Sequence, residues 1–217
     1  MPIGPNLITN GLVLALDAGN PKSYTGTGST WYDLTGNNNA ELNNGPTFDS
    51  EDRSIILDGV DDRISLDYQI TLSGPFTWSF IGYSSIMNSG QNRQVYFSGN
   101  GTWFEQSDND TLYIVNLNEG SFNLELPTGI TPQDMYYSIS VKRKYDNTFD
   151  YYFNGIKQNL RGGQSIQKSS DYYIKTIGYI AGREWNGGIS RALIYNRELT
   201  DSEILQNYNA TKTRFGL

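Results

Sequence analysis

Short extended segments separated by turn residues run along the whole chain and limit what it can fold into. The segments alternate in polarity or are apolar, and clusters of Gly, Asn and Asp lie between them. Many short strands with turn signals between them are typical of a β-sandwich or a β-barrel. We therefore predict strands near residues 11–17, 53–58, 63–67, 76–83, 93–98, 103–107, 111–117, 121–126, 137–144, 149–154, 156–159, 172–181 and 189–195.

Two local signals add detail to this all-β pattern. Asn154-Gly155 predicts a two-residue hairpin, because both residue types tolerate the positive φ angles of a type I′ turn. Thr200 followed by Glu203 is the pattern of a capping box at the start of a helix. Such a short helix needs support from the sandwich, since an isolated one is marginal in water.

The composition excludes several kinds of site. The chain has 217 residues, with no cysteine and no histidine, so it offers neither disulfides nor Ser-His or Cys-His nucleophile pairs. Any metal would be held by oxygen atoms, which points to calcium or magnesium. The net charge of −7 argues against nucleic acid as a partner.

The same survey predicts one domain over residues 1–217, with its core at about 7–210, because no linker, charge block or repeat divides the chain. No apolar run approaches the ~18 residues that cross a bilayer, so we expect no membrane insertion. The N-terminus has no basic start and no apolar core, so it lacks the features of a secretory signal peptide.

A series of segments in a fixed order carries a family resemblance. The clearest is the acidic turn Leu57-Asp58-Gly59-Val60-Asp61-Asp62-Arg63-Ile64, and residues 188–204 follow as a closing strand and a capped helix. Together with residues 11–20, 31–37, 44–48 and 152–155, this order resembles the laminin-G-like branch of the concanavalin A-like lectin/glucanase group. The resemblance implies an antiparallel two-sheet jelly-roll sandwich with one short C-terminal helix.

The opening residues 4–11, which run into the first predicted strand, resemble virion proteins of tailed bacteriophages. That resemblance implies a carbohydrate-binding or adhesion domain on the virion surface, made in the host cytoplasm. We expect a capsid decoration or accessory protein, or part of a tail fibre. Its partners would be cell-surface glycans or other virion proteins, with homo-oligomers allowed. The alternative is a structural virion subunit that binds protein neighbours and no sugar.

Glycoside hydrolases of this group place two carboxylates on one strand in a Glu-x-Asp-x-Glu pattern, so that acid and nucleophile flank one glycosidic bond. This chain has no such run: Glu125 stands alone between leucines, and Glu105 is followed by the wrong alternation. We therefore predict that the chain is not an enzyme and keep a glycoside hydrolase as the third alternative.

Sugar sites combine an aromatic platform with amides and carboxylates that bind the hydroxyl groups. Trp103 and Phe104 are adjacent in a strand and must point to opposite faces, so one of the two rings is expected at the surface. The other expectation is that all four tryptophans pack in the core. The candidate carbohydrate-binding residues are Trp103, Phe104, Trp185, Asn92, Arg93 and Glu184.

The acidic turn is the candidate metal site. Asp58, Asp61 and Asp62 bracket Gly59 and could direct oxygens at calcium, with Asp17 or Asp33 as a further ligand if the first strand lies nearby. Calcium takes six to eight oxygens, so the turn needs such help. The alternative is a plain β-turn in which the aspartates stabilise the bend through their own hydrogen bonds.

Overall fold

A computed structural model describes residues 6–85, 93–107, 111–117, 120–125, 135–159 and 167–217. Strands dominate these residues, and one α-helix, α1 (Asp201–Asn209), is followed by a 3₁₀ turn at Lys212–Phe215. The strands are β1 (Leu12–Asp17), β2 (Thr30–Trp31), β3 (Ala40–Asn43), β4 (Thr47–Asp49), β5 (Ser54–Asp58), β6 (Arg63–Leu72), β7 (Phe76–Gly82), β8 (Arg93–Gly99), β9 (Thr102–Ser107), β10 (Thr111–Asn116), β11 (Gly120–Glu125), β12 (Tyr137–Arg143), β13 (Phe149–Phe153), β14 (Ile156–Lys157), β15 (Tyr172–Ile177) and β16 (Asn186–Tyr195).

Within the described residues, the strands form two eight-stranded antiparallel sheets. Sheet 1 has the order β14-β13-β12-β7-β16-β5-β4, and β1 also pairs with β16. Sheet 2 has the order β11-β10-β9-β8-β15-β6-β3-β2. The chain passes between the sheets repeatedly, and the turn from β5 to β6 is one such crossing. This arrangement confirms the predicted all-β antiparallel sandwich with one short helix.

Aromatic rings fill the space between the sheets. Trp78 of β7 lies 5.3 Å from the ring of Phe104 in β9 and 5.7 Å from that of Tyr96 in β8, measured between ring centroids. Phe80 and Trp185 are 5.0 Å apart in the same core. All five side chains are fully buried. Burying an aromatic side chain of this size stabilises a fold by roughly 1.5–3 kcal/mol, so this cluster is a main source of stability.

The predicted hairpin and helix cap are confirmed. Asn154 and Gly155 have φ angles of 48° and 76°, which is the left-handed pair that a type I′ turn needs. The Thr200 hydroxyl accepts a hydrogen bond from the Glu203 backbone N–H, and the Glu203 carboxylate accepts one from the Thr200 backbone N–H. In the part of the chain that the structure describes, no helix has the length and apolar character needed to cross a membrane.

Some strand boundaries differ from the prediction. The short strands β2, β3 and β4 were not predicted, because each has only two to four residues and lies at or near a sheet edge, where few apolar side chains are needed. Strand β15 ends at Ile177, whereas the pattern suggested continuation to residue 181. Residues 178–185 instead leave the sheet as a loop, and this loop forms the centre of the candidate site.

Candidate functional site

The loop of residues 178–185 joins β15 of sheet 2 to β16 of sheet 1 and is held by backbone bonds at both ends. The Gly178 N–H donates to the Tyr96 carbonyl at 3.2 Å, and the Trp185 N–H donates to the Gly178 carbonyl at 2.8 Å. Gly178 has a φ of +76°, and a Cβ there would lie 2.6 Å from Leu57. Only glycine fits this turn, so the loop is pinned tightly against one edge of the sandwich.

Three side chains form a linked cluster beside this loop. The Trp103 indole N–H donates to the Glu105 carboxylate at 2.9 Å. Arg183 forms an ion pair with the same carboxylate at 2.6 Å, and its guanidinium lies 5.3 Å from the centre of the Trp103 ring. Glu105 is fully buried, whereas 29% of the Arg183 side chain is exposed. The Trp103 ring is partly exposed and is held in one orientation from two sides.

A cleft of about 230 Å³ lies next to this cluster. Its walls are residues 98–102 at the β8–β9 turn and, across from them, Thr176 and residues 179–181. Asn100 and Gly101 turn the chain with φ angles of 38° and 77°. Asn100 is exposed, and its amide makes no hydrogen bond within the described residues. Trp103 follows this wall directly but does not line the cleft.

The acidic turn between β5 and β6 borders the other side of the 178–185 loop. The Asn186 side-chain amide, one residue beyond the loop, donates to the Asp58 carbonyl at 2.8 Å. Arg63, which begins β6, places its guanidinium 5.6 Å from the centre of the Tyr179 ring. The acidic turn, the loop and the Trp103 cluster therefore share one edge of the sandwich.

Carboxylate oxygens of Asp58, Asp61 and Asp62 lie within 4.8 Å of one another, the only such group of three in the described residues. Two of these carboxylates also stabilise the turn: Asp62 accepts from the Asp58 N–H at 3.0 Å, and Asp58 accepts from the Val60 N–H at 2.8 Å. Burial of Asp62, with the nearby charges of Asp58 and Asp61, raises the pKa of its carboxyl against the effect of that backbone hydrogen bond. The geometry suits a hydrogen-bonded turn with spare oxygen atoms.

The predicted roles of three site residues are wrong. Phe104 and Trp185 have no exposed surface and pack among the core rings, so they cannot stack on a ligand. Asp17 is 3% exposed and forms an ion pair with Arg214 at 2.7 Å. In the register of sheet 1, Asp17 lies opposite Arg191 of β16, whereas Asp58 lies opposite Asn186, five positions along that strand. That separation is roughly 16 Å at ~3.3 Å per residue, too far for Asp17 to join the acidic turn.

The remaining predicted residues have separate outcomes. Glu184 lies in the loop, partly exposed, and its carboxylate accepts from the Gly182 N–H at 2.7 Å. Asn92 lies outside the described residues, so its placement stays a prediction. Arg93 begins β8 opposite Ser107, and only its backbone is described. The structure thus brings Trp103, Glu184 and the three aspartates of the turn to one edge.

Arg183 and Glu105 were missed as members of the site. The available signal for Glu105 is its position two residues after Trp103, since alternate strand residues share a face. Arg183 had no signal of its own, because its role depends on how a loop folds back over a distant strand.

No protein-family model matches the chain, and no curated protein sequence matches it. Solved structures with a similar fold include a sialidase of Trypanosoma rangeli in complex with sialic acid, at 17% identity and a TM-score of 0.63. The matched region covers 97% of this chain and 35% of the sialidase chain. The botulinum neurotoxin serotype D binding domain is 13% identical with a TM-score of 0.64, covering 91% of this chain and 51% of that one. The botulinum neurotoxin DC binding domain, in complex with rat synaptotagmin II, is 15% identical with a TM-score of 0.63, covering 92% and 51%.

These similarities fit a jelly-roll, concanavalin A-like sandwich and, at such identities, show the fold alone. The chain spans about a third of the sialidase and about half of the toxin binding domains. They also correct one prediction from the sequence. The exclusion of an enzyme is wrong, because chains of sialidases contain this architecture and one of them was captured as a covalent intermediate. The absence of a Glu-x-Asp-x-Glu run is therefore not a sufficient reason to exclude an enzyme.

Proposed function

We propose that this chain is a recognition domain that binds carbohydrate through the edge formed by Trp103, the cleft beside it and the 178–185 loop. The observation that carries the proposal is the fixed orientation of the Trp103 ring. Its N–H is held by buried Glu105 and one side of the ring meets Arg183. A ring that is ordered before binding loses little conformational entropy when a sugar stacks on it.

Polar groups around the ring supply the other half of a sugar site. The free amide of Asn100 belongs to the cleft lining, and the partly exposed Glu184 follows three cleft residues, 179–181, in the 178–185 loop. Hydroxyl groups of a sugar both donate and accept hydrogen bonds, and an amide and a carboxylate together meet that need. The cleft volume of about 230 Å³ suits one or two rings of a glycan and not a large ligand.

The similar solved structures support recognition in general and leave the class of partner open. One is a sialidase bound to sialic acid and another is a toxin binding domain bound to a protein, synaptotagmin II. A protein partner is therefore the second candidate, in line with a structural subunit that contacts protein neighbours. The placement on the surface of a phage particle belongs to this proposal and rests on the sequence resemblance of residues 4–11.

The test is a glycan array probed with the wild type and with Trp103→Ala. A matched control is Tyr68→Ala, which removes a tyrosine of β6 that is 70% exposed and outside the cluster. We expect specific binding that Trp103→Ala abolishes and Tyr68→Ala keeps. A blank array would contradict the sugar proposal for the glycans tested and favour the protein partner. Equal binding by both variants would show that Trp103 is not part of the sugar site.

Calcium is part of the proposal as an ion that would order the acidic turn. Asp58, Asp61 and Asp62 could supply three of its six to eight oxygens. Repeating the array with calcium and with a chelator tests this, alongside the thermal stability of Asp61→Asn. We expect calcium to raise the melting temperature of the wild type but not of Asp61→Asn. No shift in the wild type would leave the plain β-turn as the correct account.

A further inference from the structure

A second pocket lies at the opposite end of β5 from the acidic turn. It has a volume of about 210 Å³ and is formed by residues 18, 19, 21 and 24–26 after β1 together with Phe48, Ser50 and Arg53 of the β4–β5 hairpin. Ser54 and Asp58 mark the two ends of β5, so the pocket lies roughly 13 Å from the acidic turn at ~3.3 Å per residue. This pocket is therefore separate from the Trp103 edge.

One wall of the pocket is aromatic. The rings of Tyr24 and Phe48 have their centres 5.1 Å apart at an angle of 58°. Tyr24 is nearly buried and anchored by its hydroxyl, which donates to the Gly28 carbonyl at 2.8 Å, whereas Phe48 is partly exposed. Gly26 has a φ of +92°, and a Cβ there would lie 3.6 Å from the Phe48 ring. Glycine at this position leaves the approach to the ring open.

Another part of the pocket lining carries positive charge. A Cβ on Gly19 would lie 3.4 Å from the Arg53 side chain and 3.2 Å from that of Arg214, so glycine lets two guanidinium-bearing side chains converge. Arg214 is neutralised by its ion pair with Asp17 at 2.7 Å. Arg53 is exposed and makes no hydrogen bond or ion pair with any described residue. Its guanidinium is therefore an available cation at the pocket.

The acidic residues of the same hairpin do not neutralise Arg53. Asp49 accepts from the backbone N–H groups of Glu51 and Asp52, at 2.8 Å and 3.0 Å, and so stabilises the turn. Glu51 and Asp52 are exposed and form no ion pair with Arg53. Arg53 itself has a φ of 54°, in the left-handed region, which costs energy for a residue with a Cβ. The hairpin thus holds an unpaired cation in a strained position beside an aromatic wall.

We propose that this pocket binds a sugar that carries a carboxylate, with the ring against Phe48 and the carboxylate on Arg53. A guanidinium matches a carboxylate with two parallel hydrogen bonds, and an aromatic face packs on the apolar C–H patch of a sugar ring. The volume, about seven times the ~30 Å³ that one liquid water molecule occupies, suits a single sugar unit. A peptide carboxylate would use Arg53 but leave the ring wall unused.

The test is a titration of the whole protein with methyl glycosides of glucuronic and galacturonic acid, each compared with its neutral hexose counterpart. Backbone amide signals of Gly19 and Gly26 report on the pocket, since both residues line it. We expect these signals to shift with at least one acidic sugar and the acid to bind about ten- to a hundred-fold more tightly than its neutral partner, as hydrogen bonds to charged groups imply. Added salt should weaken this binding.

The variant Arg53→Gln removes the cation, and Lys22→Gln is the control, because Lys22 is exposed in the same loop and does not line the pocket. We expect Arg53→Gln to abolish the preference for the acid, Arg53→Lys to keep part of it, and Lys22→Gln to keep it in full. Thermal melts of all variants check that each is folded.

Three results would overturn the proposal: no shift at Gly19 and Gly26 with either acid, unchanged preference in Arg53→Gln, or equal binding of N-acetyl-aspartate amide. The last result would mean that the pocket recognises a carboxylate and not a sugar. Trp103→Ala is expected to leave this binding unchanged, so failure here and failure of the proposed function are distinguishable.

Discussion

Removing the Arg183 side chain tests the cluster that orients Trp103. Arg183→Ala deletes the ion-pair partner 2.6 Å from Glu105 and leaves that carboxylate, which has no exposed surface, without the positive charge of Arg183. It also removes the guanidinium that covers one side of the Trp103 ring. We expect a loss of stability and a looser Trp103 from the same change.

The magnitude follows from the burial of the pair. Breaking a fully buried ion pair costs about 3–5 kcal/mol, because one charge is left uncompensated. Since 29% of the Arg183 side chain is exposed, water can partly replace it, and we place the loss of unfolding free energy nearer ~2–3 kcal/mol. For a chain of this size, each kcal/mol corresponds to roughly 2–4 °C, so the melting temperature should fall by about 4–12 °C.

The assay is a double-mutant cycle of urea unfolding with Arg183→Ala, Glu105→Gln and both together. Glu105→Gln keeps an oxygen that can accept from the Trp103 N–H but removes the charge. We expect the double variant to lose less unfolding free energy than the two single variants lose together, by about 1–3 kcal/mol. Additive losses would refute the reasoning. So would an Arg183→Ala variant whose unfolding free energy lies within about 0.5 kcal/mol of the wild type, because that is the usual effect of a plain surface substitution.

Three further predictions concern stability. Trp185→Ala should cost about 3–5 kcal/mol in a urea melt, because the ring is fully buried against Phe80, and a near-neutral change would mean that it is not a core residue. Gly187→Ala should cost about 2–3 kcal/mol, since φ is +136° and a Cβ would lie 2.3 Å from the Tyr83 carbonyl oxygen; a wild-type melting temperature would contradict this close approach. Chiefly through the hydrogen bonds that Arg197 donates to it, the Glu203 carboxylate has a pKa lowered from 4.5 to about 2. The stabilisation of the folded state by the ionised Glu203 is therefore complete above pH 4.5 and lost as the pH falls towards 2. Glu203→Gln should therefore be less stable by about 1 kcal/mol at pH 7, a value reduced for solvent screening, and equal to the wild type near pH 2; a constant difference across this range would argue against the assignment.

The alternation of side chains in strands predicted most of the sandwich, and it also separated Trp103 from Phe104. Adjacent strand residues point to opposite faces, so one ring had to be buried, and the structure places Phe104 in the core. The pattern could not say which of the two it would be, because that choice depends on which face of sheet 2 meets sheet 1.

Long-range contacts explain what the sequence did not predict. Asp17 pairs with Arg214, which lies 197 residues away, and nothing local to the first strand indicates that partner. Trp185 is flanked by polar residues that suggest a surface loop, yet Gly178 and Gly187 let the chain turn its indole into the core. The pocket of Tyr24, Phe48 and Arg53 depends on the short edge strand β4, which the pattern did not predict.

The most direct test of the central claim is quenching of tryptophan fluorescence by iodide, with and without a glycan found to bind. Of the four tryptophans, Trp31, Trp78 and Trp185 are fully buried and Trp103 is partly exposed. We expect the quenchable emission to disappear in Trp103→Phe and to be shielded in the wild type by a bound glycan. Quenchable emission that persists in Trp103→Phe, or that the glycan leaves unshielded, would contradict recognition through Trp103.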